Sequence, residues 1–91
     1  MNIEKIYTAV ENDEMNSPLI TICNAIFNQG YSLKIDGIDI DRDDLDNSVL
    51  VDFEQSQNNF NLLLTDVKNQ SVEFVLTFTD YHKFILTEKM V

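Results

Sequence analysis

Ser32-Leu33-Lys34-Ile35-Asp36-Gly37-Ile38-Asp39-Ile40-Asp41 is the stretch where this chain changes its periodicity. Upstream, apolar residues recur every three or four positions. Here they alternate with polar ones, the two-residue period of a strand with one buried face. Asp36-Gly37, lying between the two alternating runs, is the strongest short hairpin signal, because a type I′ turn needs two residues with positive φ. A two-residue turn sets Ile35 opposite Ile38, Lys34 opposite Asp39, Leu33 opposite Ile40 and Ser32 opposite Asp41. The register agrees with itself. The apolar residues share one face and Lys34 meets Asp39 on the other, a cross-strand pair worth about 0.2–1 kcal/mol.

On the N-terminal side the pattern is helical. Ile3, Ile6, Tyr7 and Val10 predict an amphipathic helix over residues 2–13. Ser17 before Pro18 predicts a second helix start, with Ser17 as N-cap and Pro18 at the first helical position. Leu19, Ile22, Cys23, Ile26 and Phe27 form its apolar stripe, and Gly30 ends it at about residue 29.

On the C-terminal side the reading is of strands. Residues 43–47 read as a loop. Val49, Val51 and Phe53 alternate with Leu50, Asp52 and Glu54 and predict a third strand. Residues 60–65, with apolar side chains at most positions, give a fourth. Val72, Phe74, Leu76 and Phe78 give a fifth, and residues 84–88 a sixth. Ile85 and Thr87, both β-branched, favour strand there over a short helix starting at Tyr81. The expected fold is α+β, a single domain over residues 1–91. Its two N-terminal helices pack on an antiparallel β-meander of about five to six strands. Leu62, Leu63 and Leu64 run consecutively, and Val75 and Leu50 face away from their strands' main apolar sets. The second sheet face is therefore expected to be covered, by the first helix or by a partner.

Charge is the outlier in composition. Of 91 residues, 16 are acidic and 6 basic, a formal net charge of −10. Such a field repels nucleic acid and anionic membranes and attracts cationic surfaces. The single cysteine, Cys23, cannot form an internal disulfide. No apolar run approaches the ~20 residues that span a bilayer, and residues 1–7 lack the apolar core of a signal peptide. The expectation is a cytoplasmic protein that binds neither membrane nor nucleic acid directly.

The acids concentrate in one place. Asp36, Asp39, Asp41, Asp43, Asp44 and Asp46 fall in eleven residues, with Arg42 among them. Adding Asp52 and Glu54 brings the group to half of all the acids. Asp39, Asp41 and Asp43 fit positions 1, 3 and 5 of a calcium loop, but Asp44 and Leu50 stand where Gly and a bidentate Glu belong. No cofactor or metal is expected. If the strand runs on, Asp39, Asp41 and Asp43 share one face at about 6.6 Å intervals, a row able to imitate the phosphates that basic proteins track. Cys23 and His82 could pair as nucleophile and base, yet Cys23 falls on an apolar stripe, so no enzymatic activity is expected. The expected function is a non-enzymatic acidic binding protein. It would occlude a basic, nucleic-acid-binding surface of a partner protein through those eight acids. Inhibitors of nucleases, of restriction or CRISPR effectors, and toxin-immunity proteins work in this way; the likeness is of class, not of motif. The alternative is an assembly module, a homodimer or complex subunit that uses an apolar sheet face with an acidic rim.

Overall fold

Asn2 opens the first helix, its side-chain oxygen accepting the Lys5 N–H at 3.2 Å. The computed structural model describes residues 1–46, 48–80 and 82–89. Helix α1 (Ile3–Asn12) buries Ile6 and Val10, one turn apart on one face. Helix α2 (Pro18–Asn28) buries Leu19, Ile22, Cys23 and Ile26. It ends as its sequence predicts, with Gly30 at φ +90° donating its N–H to the Phe27 carbonyl at 3.0 Å. Gln29 ties the two helices together, accepting the Asn2 N–H at 2.7 Å and donating to the Asn2 carbonyl at 3.0 Å.

The hairpin of β1 (Ser32–Ile35) and β2 (Ile38–Ile40) has the expected register: Leu33 with Ile40, Lys34 with Asp39, and Ile35 with Ile38. Asp36 at φ +50° and Gly37 at φ +83° make the turn. The ladder stops at Ile40, so Asp41 does not pair with Ser32. Residues Arg42–Asp46 then form a 3₁₀ turn where a plain loop was expected; Asn47, the last residue of that expected loop, lies outside the described residues.

The third expected strand is a helix, α3 (Val49–Ser56). The alternation of Val49, Val51 and Phe53 suggested a strand, but burial follows a different set. Leu50 is fully buried and Phe53, three residues on, packs against the core, whereas Val49 is exposed. Tertiary packing chose the helical reading of an ambiguous eight-residue segment.

The remaining strands are β3 (Asn59–Thr65), β4 (Ser71–Asp80) and β5 (Lys83–Glu88). The sheet has five antiparallel strands in the order β2-β1-β3-β4-β5. It departs from a simple meander at one point, because α3 carries the chain back so that β3 pairs with β1. Asp36 holds that junction. Its N–H donates to the Asn61 carbonyl at 2.8 Å, and its Oδ1 accepts the Asn61 N–H at 2.9 Å.

All three helices lie on one face of the sheet. Ile6 and Val10 of α1, the α2 stripe and Leu50 of α3 share one core with Leu33, Ile35, Phe60, Leu62, Leu64, Phe74, Leu76, Phe84 and Leu86. A chain of rings crosses the end of this core. Phe53 meets Phe60 edge-on, Phe60 meets Phe78 edge-on, Phe78 is tilted against Phe84, and Phe84 stacks on Tyr7 at 4.5 Å between centroids. Among the described residues, no helix lies over the opposite face, which carries Lys34, Leu63, Val75 and Ile85, and Ile85 is 54% exposed. The expectation that α1 covers that face is therefore corrected. Tyr7 draws α1 onto the core side instead, by stacking on Phe84 and accepting the Leu86 N–H at 2.9 Å. Among the described residues, no helix is long and apolar enough to cross a membrane.

Candidate interaction surface

The segment from the Asp36-Gly37 turn through β2, the 3₁₀ turn and α3 holds all eight acids picked out in the sequence. All of them but Asp44 and Glu54 are exposed.

Four carboxylates hold backbone or neighbouring groups in place. Asp36 accepts the Asn61 N–H, and it also accepts Gln57 Nε2 at 2.6 Å. Asp41 caps the 3₁₀ turn, its Oδ1 accepting the N–H groups of Asp43 at 3.0 Å and Asp44 at 3.3 Å. Asp44 reaches back to accept the Asp41 N–H at 2.9 Å. This reciprocal capping is why the chain leaves strand geometry at Asp41: an Asp side chain offers its own local backbone an alternative to the ladder. Glu54 accepts the Ser17 hydroxyl and, at 3.1 Å, the Leu19 N–H. The carboxylate thus sits at the N-terminus of α2, where unpaired N–H groups and the helix dipole favour negative charge. Ser17 occupies the N-cap position, but its side chain makes no capping bond to α2.

Asp39, Asp43, Asp46 and Asp52 are exposed. Asp39 pairs with Lys34 at 3.9 Å across the hairpin while keeping 86% of its side-chain exposure. The expected row of Asp39, Asp41 and Asp43 on one strand face does not form, because β2 ends at Ile40 and the three residues occupy different backbone settings. Arg42 turns towards α2. Its guanidinium lies 5.5 Å over the Phe27 ring and donates to Asn24 at 3.3 Å and Asn28 at 3.0 Å. The stacked arginine fixes the 3₁₀ turn against α2, a role that sequence spacing did not reveal.

The other candidate chemistry separates in space. Cys23 is buried in the core, and desolvation pushes its thiol up to about 12, so the thiolate that a nucleophile requires is not formed near neutrality. His82 lies at the β4–β5 turn with φ +65°, beside a groove lined by Tyr7, Val10, Glu11 and Glu14. Among the described residues, no three His, Cys, Asp or Glu side chains converge to hold a metal ion. Comparison with known proteins finds no matching family model, curated relative or solved structure.

Proposed function

We propose that this chain is a small acidic binding protein without enzymatic activity, which docks on a basic, nucleic-acid-binding surface of a partner protein and occludes it. The supporting observation is that carboxylates fasten the very segment that carries the exposed acids. Asp36, Asp41, Asp44 and Glu54 spend their oxygens on fastening the turn, the 3₁₀ segment and α3 to the rest of the fold. Asp39, Asp43, Asp46 and Asp52 stand exposed on that fastened frame. Charges held in place beforehand lose little freedom on binding, and a net charge of −10 steers a cationic partner towards them.

The experiment is a pull-down from the native host at low and high salt, followed by association kinetics with the captured protein. The reading expects a basic partner recovered at low salt and an association rate that falls steeply with ionic strength. Replacing Asp39, Asp43, Asp46 and Asp52 together by Asn should lower that rate at least tenfold while the domain stays folded. An affinity indifferent to salt, or kinetics untouched by the fourfold variant, would reject this surface as the interface.

A further inference from the structure

We infer that the uncovered face of the sheet is a self-association surface, on which a second copy of this chain stacks about a two-fold axis running along β3. One row of side chains carries the inference. The strand registers place Asp39 beside Lys34, Lys34 beside Leu63, and Leu63 beside Glu73. Lys89 completes the row, its N–H donating to the Glu73 carbonyl at 2.8 Å and its Nζ 3.9 Å from the Glu73 carboxylate. Across β2, β1, β3, β4 and the residue that follows β5, the row therefore reads negative, positive, apolar, negative, positive. This pattern reverses its sign about Leu63. A second copy turned about an axis along β3 brings Asp39 over the partner's Lys89 position, Lys34 over its Glu73 position, and Leu63 over itself. Every charge meets its opposite, as an isologous interface requires.

Three further observations favour a second copy over other occupants. The row's two lysines and two carboxylates cancel, so the full −10 lies on the rest of the molecule, and other faces repel a second copy. Edge-to-edge pairing is hindered. On β5 the outward Leu86 N–H is taken by the Tyr7 hydroxyl, and on β2 the pairing alternation turns only the main chain of Asp39 outward. Apolar area is present, since Leu63 and Val75 are half-buried and Ile85 is exposed on this face. Five strands about 4.8 Å apart make a face roughly 20 Å wide, at the small end of specific interfaces. The dimer is accordingly weak and forms at high protein concentration.

This inference shares Asp39 with the proposed function but rests on the open sheet face, and salt separates the two. Docking on a basic partner weakens with salt; self-association strengthens with it, because the repulsion between two −10 bodies is screened. The test is sedimentation velocity of the full chain over a concentration series at low and high salt. The expected result is a monomer–dimer equilibrium that moves towards dimer as salt rises. Lys34→Glu sets Glu against Glu73 of the other copy, and Glu73→Lys sets Lys against its Lys34. Each should raise the dimer dissociation constant at least tenfold, and the double variant should restore it. Both side chains are about half exposed, so the folded monomer tolerates the exchange. Leu63→Lys, on the axis, should abolish the dimer while dilute samples still melt cooperatively. A wild-type chain that stays monomeric throughout overturns the inference, as does a dimer indifferent to the single reversals or one the double variant fails to restore.

Discussion

At Asp36, one residue carries three constraints: a positive φ, a main-chain bond to Asn61 and a side-chain bond to the same residue. Asp36→Ala strains the turn and leaves the Asn61 N–H without its acceptor. It should cost about 1–3 kcal/mol in urea unfolding. Asp36→Asn keeps an oxygen for that N–H and tolerates the left-handed conformation, so it should cost less than half as much. Asp13 plays a comparable part between the first two helices. Its carboxyl is held below the ordinary carboxylate range, first by the Asn16 side-chain amide, then by the N–H groups of Asn16 and Met15, with a smaller contribution from the Thr21 hydroxyl; desolvation opposes them in part. A depressed folded-state pKa means this stabilisation is present above the unfolded value of about 3.9 and fades as pH falls below it. In Asp13→Asn, the acid limb of stability against pH should be shallower below that point. A titration of Asp13 by NMR should find its midpoint under the ordinary value.

Among the elements, α3 separates what patterning can say from what it cannot. The segment Val49-Leu50-Val51-Asp52-Phe53 satisfies both periods, because Phe53 belongs to the alternating set with Val49 and Val51 and to the helical set with Leu50. The two readings predict opposite mutational costs. With the helix, Leu50→Ala should lose about 2–5 kcal/mol and Val49→Ala about 1 kcal/mol or less, measured by denaturant unfolding. A strand would invert that order. The two long helices were readable because Ser17-Pro18 and Gly30 mark boundaries that few other residues mark as well. The first hairpin was readable because Asp36-Gly37 fixes its register. The 3₁₀ turn was not, since nothing in the spacing of Asp41 and Asp44 shows that they cap each other. Glu54 reads as one more exposed acid until α2 is placed beside α3, thirty-five residues away in the chain from its Leu19 contact.

For the molecule as a whole, the total charge was plain from composition, but its distribution was not. Sequence treats the sixteen acids as equivalent; folding assigns Asp36, Asp41, Asp44 and Glu54 to holding the frame, and a charge-cancelled row to the open sheet face. Cooperativity of the single core has a direct readout in Cys23, whose labelling by a thiol reagent should be negligible in native buffer. It should rise in step with global unfolding as denaturant is added, because desolvation keeps the buried thiol protonated. The bond from the Leu86 N–H to the Tyr7 hydroxyl spans 79 residues. During synthesis at 5–20 residues per second, α1 is made roughly 4–16 seconds before the strand it must seal. The nascent helix can rest on α2 meanwhile, through Asn2 and Gln29, but Tyr7 has no partner until the last strand leaves the ribosome. Closure of this fold thus waits on β5, and a chain stalled before that strand is made would leave the aromatic end of the core open.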